Sequence, residues 1–378
     1  LIGAAALGFL VGACTRQFPG QTSNGDLASL QPAQAQTIRN AQDLQRLSTT
    51  FADIARKVTP AVVNIQSQQI IPGRVLRDPF GDFFGEEGGM FREPDRKSQS
   101  LGSGVLVDKS GIIITNNHVV RQASTITVTL SDRRRFPAKL VGTDPATDIA
   151  VLKISGTNLP TLQWADSDKL QVGEIVLAVG SPFNLSSTVT QGILSAKGRR
   201  DLGISAYEDF LQTDAAINPG NSGGALVDIN GNLIGINTAI LSGSGGNQGI
   251  GLAIPARLAQ KISGQLVSSG QVTRGWLGMV VDPITDDVAQ QLGLGQTRGV
   301  MVTGIYTRGP AGQLPWSQNG NDVILSVNGT AIDTPGQLRN MAADLAPGTK
   351  VQVEVWQGGK TQTFPLTVGR RSARVQGV

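Results

Sequence analysis

The chain has a single histidine, His118, and it stands before the serine most strongly framed as a nucleophile. That serine, Ser222, lies in "INPGNSGGAL", residues 217 to 226, between Gly220 and the pair Gly223-Gly224. Glycine is used where the main chain turns tightly or approaches a ligand. Gly220 to Gly224 also fits G-x-S-x-G, the turn that exposes a nucleophilic serine. A glycine-rich turn before a strand spells the same letters, so the motif needs a base beside it. Serine is a weak nucleophile near neutral pH, and histidine is the usual base because its pKa lies close to the working pH. His118 follows the apolar run "GIIIT" and is therefore expected at a strand end.

Chain order then limits the fold. An α/β-hydrolase places its histidine after the serine, and no histidine follows Ser222. A subtilisin-like order needs the aspartate before the histidine, in an α/β setting that this chain does not show. The order His, Asp, Ser, found in chymotrypsin-type proteases, is permitted. The strand pattern agrees with it. "SGVLVD", "GIIITN", "TITVTL", "AVLKI", "EIVLAVG" and "ALVDINGNLIGINT" are short apolar runs separated by turns, and Asn230-Gly231 is a two-residue hairpin signal. Such regular spacing predicts barrels or a sandwich.

Eight aspartates lie between His118 and Ser222. Asp132, Asp144, Asp166, Asp168 and Asp201 stand in turn-like contexts, where aspartate is expected anyway. Asp209 precedes an apolar pair, and Asp214 comes shortly before the serine loop. Asp148 differs. In "TDIAVLKI" it directly precedes a run expected to be a buried strand, which puts its carboxylate at a barrel edge. From there it can accept Nδ1–H of His118 and leave Nε2 free for Ser222. Asp148 is the chosen acid.

Composition removes several other classes. Thirty-two basic against 28 acidic residues leave a net charge of +4 over 378 residues. Aromatics are scarce and the longest basic run is Arg133 to Arg135, so the basic stripe of a nucleic-acid binder is missing. One cysteine excludes an intramolecular disulfide. One cysteine and one histidine cannot build a zinc site of the usual kind, and no metal or cofactor is expected.

Residues 1 to 14, "LIGAAALGFLVGAC", look like a truncated export signal or membrane anchor, and Val11 to Cys14 resembles a bacterial lipobox with Cys14 as lipidation candidate. Residues 15 to 50 are rich in Gln, Ser, Ala and Asn and are expected to form a flexible tether, partly helical around Asn40 to Leu47. A short amphipathic helix is expected over Phe51 to Lys57. Residues 67 to 100, with "RDPFGDFFGEEGGMF", read as a long functional or disordered insert. After a connecting helix near Ala256 to Ser268 comes a smaller unit, about 272 to 369. Its strands are expected at "WLGMVV", "GVMVTGI", "DVILSVNG", "KVQVEVW" and "TFPLTVG", and its helices at Asp286 to Leu292 and Gly336 to Leu345.

"TNNHVV", "TDIAVLK" and "GNSGGAL" resemble, in order, the three signature segments of the HtrA/Deg family of serine proteases. The resemblance runs from about Phe51 through the C-terminal unit. It implies a mainly β protein: a chymotrypsin-like double β-barrel protease domain over 51 to 260, with two six-stranded barrels, and one α+β PDZ domain over 271 to 370. His118, Asp148 and Ser222 carry over as base, orienting acid and nucleophile. The oxyanion hole is expected from the amides of Gly220 and Ser222, with the Asn221 peptide facing the right way. Ala216, six residues before Ser222, and Ile217 would floor the specificity pocket. No carboxylate stands there for Lys or Arg, which predicts cleavage after small or medium aliphatic residues.

The resemblance also implies regulation. "GRRDLGISAYEDF", residues 198 to 210, is similar to the family's sensor loop, with Arg199 matching its relay arginine. The Gly-rich segment 241 to 255 would line the pocket. "RGWLGM" resembles the carboxylate-binding loop of a PDZ domain. There Trp276, Leu277, Gly278 and Met279 would hold a peptide C-terminus, the peptide adding as a strand beside 277 to 281. "AGQLPWSQNGNDVI" departs from the family pattern at Pro315, Trp316 and Asn321-Asp322. The implied protein is an exported, periplasmic, membrane-tethered homotrimer. It would act on unfolded or membrane-associated proteins and bind C-terminal peptides. A non-catalytic chaperone on a protease scaffold is the alternative reading.

Overall fold

Alternating apolar runs bounded by turns give strands throughout the chain, and a computed structural model shows how they close. It describes residues 41–71, 75–77, 90–92, 96–182, 187–240, 248–295, 297–317 and 321–371. The signal-like segment with Cys14, and the tether up to residue 40, lie outside the described residues. No described helix is long and apolar enough to cross a membrane.

Helix α1, Ala41–Val58, joins the helicity expected around Asn40 to Leu47 to the helix expected over Phe51 to Lys57. Ala, Gln, Leu and Arg at 41 to 47 are strong helix formers, so what reads by composition as tether continues the same helix. The next strands are β1 (Val62–Ile71), β2 (Val75–Arg77), β3 (Met90–Arg92), β4 (Arg96–Asp108) and β5 (Ile112–Asn116). Beyond the one-turn helix α2 (Asn117–Val120) come β6 (Thr125–Thr129), β7 (Arg135–Pro137), β8 (Lys139–Asp144) and β9 (Ile149–Lys153).

Seven of these form one sheet in the order β7-β6-β1-β4-β5-β9-β8. The expected six-stranded ring is thus an open half-barrel. Its two edge strands are consecutive in the chain and meet at Ala138, where Pro137 has no N–H to offer a ladder. The insert at 67 to 100 is less irregular than its composition suggests. β1 and β4 stay paired as far as Ile71↔Arg96, and β2 pairs β3 beyond them.

The second barrel closes completely, in the order β10-β11-β12-β15-β14-β13. Its strands are β10 (Ile175–Gly180), β11 (Thr188–Arg199), β12 (Phe210–Thr213), β13 (Ala225–Val227), β14 (Leu233–Ile240) and β15 (Gly251–Pro255). The β13–β14 connection is one residue longer than the Asn-Gly dipeptide predicts. Gly231 takes a left-handed φ of 73° and donates to Asp228 O, a type I turn followed by a bulge. Ile65, Leu106, Ile113, Ile114, Ile149 and Leu152 are fully buried in the first barrel, as are Leu194, Leu211, Ile217 and Leu226 in the second. Each such side chain contributes about 1.5–3 kcal/mol on burial.

Helix α3 (Ala256–Ser269) packs Ala259, Ile262 and Leu266 against β8, β9 and β14 and ends at Gly270, whose N–H bonds Leu266 O. The C-terminal unit follows. It contains β16 (Gly275–Trp276), β17 (Met279–Pro283), helix α4 (Asp286–Gln291), β18 (Val300–Ile305), β19 (Val323–Val327) and β20 (Thr330–Ala331). Helix α5 (Pro335–Asp344), β21 (Lys350–Gln357), β22 (Lys360–Thr367) and β23 (Gly369–Arg370) complete it. The main sheet runs β17-β18-β19-β21-β22, so β17 is an edge strand. Trp316, at the departure from the family pattern, packs on this unit's core and donates Nε1–H to Ala311 O at 2.7 Å.

The two units meet through polar contacts around residues 200 to 209. Arg274 forks onto buried Asp144, with Nη1 2.9 Å from Oδ1 and Nη2 on Oδ2, and its guanidinium lies 4.4 Å over the Tyr207 ring. Lys261 reaches Asp344 at 2.6 Å, and Asp201 accepts from Gly336 N–H and Arg339. Breaking a buried ion pair from one side leaves the other charge uncompensated, at a cost of about 3–5 kcal/mol. Arg274→Ala should therefore detach the C-terminal unit without unfolding either unit. Limited proteolysis is expected to cut near residue 270 much faster in the variant, and calorimetry to resolve two transitions.

Candidate active site

His118 is placed by the end of β5. The strand stops at Asn116 and the chain turns into α2, which carries His118 out of the sheet. Asp148 sits just before β9, the neighbour of β5. Its φ of +60° is left-handed, a conformation that costs most side chains energy but that aspartate tolerates better.

Five hydrogen bonds hold Asp148 there. Its carbonyl accepts Asn117 N–H at 2.9 Å and Asn116 Nδ2–H at 3.1 Å. Oδ1 accepts the His118 backbone N–H at 2.9 Å, while Oδ2 meets His118 Nδ1 at 2.7 Å and accepts Thr238 Oγ–H at 3.0 Å. A carboxylate facing Nδ1 assigns the proton to that nitrogen and leaves Nε2 as the acceptor. The Asp148 side chain is 18% exposed and that of His118 46%, so the carboxylate is shielded and the imidazole faces solvent. Beside them is an open groove of about 540 Å³ walled by Leu140, Pro145 and Ile204.

The loop of Ser222 is tied to the same neighbours. Thr238 follows Asn237, whose C=O accepts Gly223 N–H at 2.8 Å and whose N–H donates to Gly224 O at 2.9 Å. Ser222 O accepts Ser103 N–H at 2.8 Å. The neighbouring Gly102 lies against Val119, the residue after His118, where an added Cβ would come within 2.7 Å of both Val119 methyls. Among the described residues no hydrogen bond joins Ser222 Oγ to His118. Such bonds often tighten only when substrate is bound.

Backbone bonding in the loop is selective. Asn221 N–H donates to Asn218 O, Gly223 N–H to Asn237 O and Gly224 N–H to Asn221 O. The amides of Gly220 and Ser222 have no acceptor among the described residues. Those are the two donors expected of an oxyanion hole, while the Asn221 amide is spent in a turn. Gly220 has φ +99°, and a Cβ there would fall 2.6 Å from Pro182 Cβ.

The remaining expected positions are distributed as follows. Ala216 is half-buried and its carbonyl accepts Thr190 Oγ–H at 2.8 Å. Ile217 points into the second barrel's core against Gly251. Arg199 is exposed and donates Nε–H to Gln212 at 2.7 Å; its neighbour Arg200 is the one turned inward, onto Asp209. In the C-terminal unit, Leu277 O and Gly278 O accept Ala311 N–H and Tyr306 N–H, and the amides of Leu277 and Gly278 have no acceptor among the described residues. Trp276 and Met279 line a groove of about 430 Å³ between β17 and α5, and Tyr207 lines it too. Thr238, Ser103 and Tyr207 escaped sequence reasoning, because each acts across a contact that no local motif marks.

Known proteins share this domain organisation. The trypsin-like peptidase domain family matches residues 102–236, and the PDZ domain family matches residues 275–368. A probable periplasmic serine endoprotease, DegP-like, of Chlamydia pneumoniae is 44% identical over 344 residues, which cover 86% of this chain and 70% of that protein. A DegP-like protein of Pseudomonas putida is 44% identical over 337 residues, covering 84% and 69%. The solved HtrA-type protease AlgW variant with a decapeptide superimposes with a TM-score of 0.72 at 42% identity, over 87% of this chain and 99% of that one. This chain belongs to the HtrA/Deg family of serine proteases. It is a serine endopeptidase with a trypsin-like domain followed by one PDZ domain.

In this protease the Asp148 bonds should be unequal in effect. Asp148→Asn presents an amide to Nδ1 and favours the wrong tautomer, with an expected kcat loss of about 10⁴-fold. Thr238→Val removes one bond to a charged group, worth about 1.5–3 kcal/mol, and should cost on the order of 10- to 100-fold. Steady-state cleavage of a fluorogenic peptide measures both. Equal losses would contradict the assigned roles.

Proposed function

We propose that His118, Asp148 and Ser222 act as base, orienting acid and nucleophile in peptide-bond hydrolysis. The observation that carries the reading is the His118 Nδ1–Asp148 Oδ2 contact of 2.7 Å, backed by Thr238. His118 Nε2 takes the Ser222 proton as Oγ attacks the scissile carbonyl. The imidazolium so formed is stabilised by Asp148, and the proton then passes to the leaving amine. The oxyanion is received by the amides of Gly220 and Ser222, preorganised donors of the kind that supply a large share of such catalysis. Water repeats the sequence on the acyl-enzyme.

The substrate reading follows from the pocket floor. Ala216 brings no charge, Ile217 turns into the barrel core behind it, and Asp214 Oδ1 accepts Ile193 N–H at 2.7 Å. Cleavage after Val or Ala is expected. Ser222→Ala should abolish casein hydrolysis with the fold intact, and mass spectrometry of peptide-library digests should show small aliphatic residues before the cut. A preference for Arg would sink the pocket assignment.

β17 is an edge strand flanked by α5, and the free amides of Leu277 and Gly278 suit a terminal carboxylate. A C-terminal peptide therefore adds as a strand along β17. Tyr207 lies at that groove while its loop runs back to β12 of the protease, so peptide binding is read here as a regulator of cleavage, with Arg199 a candidate relay. Adding a hydrophobic C-terminal peptide should raise the rate of the full chain and leave a chain ending at Gly270 unaffected. Substrates are read as unfolded or membrane-associated envelope proteins, and the location as the periplasm, as in the named relatives. Residues 1 to 14 or a lipidated Cys14 would supply a tether, and a homotrimer is the expected assembly.

A further inference from the structure

We propose that Ser103, a buried serine of the first barrel, is a positioning residue for the oxyanion loop of the second. The inference rests on the catalytic reading above and adds to it a residue outside the triad.

Ser103 lies in β4 opposite Asn64 of β1, and both are almost wholly buried. All three of its polar atoms are engaged, and two of them, N and Oγ, make three hydrogen bonds across the seam between barrels. Its N–H donates to Ser222 O at 2.8 Å. Its Oγ accepts Ser181 N–H at 2.8 Å and is 2.6 Å from Gly220 O. Its own carbonyl accepts Thr115 Oγ–H at 2.6 Å. A hydroxyl has one proton to donate. Since Ser181 N–H can only donate, the Oγ proton goes to Gly220 O.

The consequence is local and directional. The Gly220–Asn221 peptide is held at both ends, its C=O by Ser103 Oγ and its N–H by Asn218 O. The two unspent amides, those of Gly220 and Ser222, flank this fixed plane. The peptides that carry these amides adjoin that plane at Cα of Gly220 and of Asn221, so anchoring the plane restricts how far either amide can turn. Gly220 has little resistance of its own, because glycine occupies left-handed and right-handed regions about equally. Asn64 reinforces the arrangement by donating Nδ2–H to Ser181 O at 2.7 Å, which holds the chain leading to Pro182, the wall against which Gly220 rests. Removing this hydroxyl leaves Ser181 N–H and Gly220 O unpaired in a buried place and frees the peptide to turn.

The test compares Ser103→Ala and Ser103→Thr in the full chain, with Ser222→Ala as control. For Ser103→Ala, kcat should fall about 10- to 100-fold, less than loss of an oxyanion donor outright, with KM within about 2-fold by the same argument. The affinity of a peptide boronate, which forms a tetrahedral adduct on the nucleophile, should fall by a similar factor. C-terminal peptide affinity should be unchanged. Ser103→Thr keeps the hydroxyl and should recover most of the lost rate. Unchanged kcat in Ser103→Ala overturns the proposal, as does a kcat loss with boronate affinity intact. A folded threonine variant that keeps little of the wild-type rate overturns it as well, and that comparison with wild type stands even if the alanine variant fails to fold. If Ser222→Ala still cleaves, the nucleophile assignment fails instead, independently of Ser103.

Discussion

The Asp148 carboxylate joins the two barrels at the point where chemistry is expected. It takes two hydrogen bonds from His118, which belongs to the first barrel, and one from Thr238 of β14 in the second. To do so its backbone adopts a left-handed φ, a strain of order 1–3 kcal/mol that the surrounding bonds must offset. The two asparagines before His118 supply part of that offset by binding the Asp148 carbonyl. The Asn116 side chain in "TNNHVV" is thus explained by the carbonyl of a residue 32 positions away, while Asn117 contributes its backbone N–H. Orientation of the imidazole and its tautomer both depend on this side chain, which is also one of the ties between the barrels.

Around this hub the seam between barrels is unusually polar for a buried region. Asn64, Ser103, Thr115 and Asn237 are each buried and each donate across or along it. A buried hydrogen bond contributes only about 1 kcal/mol net, but leaving a partner unpaired costs more. Such a seam fixes one relative placement of the barrels more sharply than apolar packing alone, since any slip orphans several groups at once. The Ser222 loop hangs from it, and its glycines admit the close approach. A Cβ at Gly223 would lie 2.1 Å from Ser103 O.

The same economy appears where the PDZ domain meets the protease. The Glu208 carboxylate, buried, gathers the N–H groups of Leu202, Ile204 and Ser205 and so shapes the loop from 200 to 209. That loop presents Tyr207 to Arg274 and Arg371, and Asp201 to the first turn of α5. Ile204, from the same loop, walls the groove beside His118. One loop therefore lines both the groove beside β17 and the groove beside His118. Its backbone is organised by a single acid.

Much of this was legible in the letters. Strand runs, the order His118, Asp148, Ser222, and the glycines around the serine follow from local chemistry, because periodicity, turn preference and nucleophile activation each leave a short-range mark. Other features depend on residues far apart in sequence meeting in space. That the helicity around Asn40 to Leu47 runs unbroken into the next helix was hidden by a polar composition that suits a tether and a helix equally. The open half-barrel reflects how β7 and β8 turn at Pro137, which no periodicity reveals. Thr238, Ser103 and Tyr207 look like ordinary strand or loop residues until folding sets them beside Asp148, Gly220 and Arg274. By itself the sequence determined which chemistry the chain can perform and in what kind of fold. The tertiary structure alone decided which side chains hold that chemistry in place, since hydrogen bonds between separate barrels exist only once both have closed.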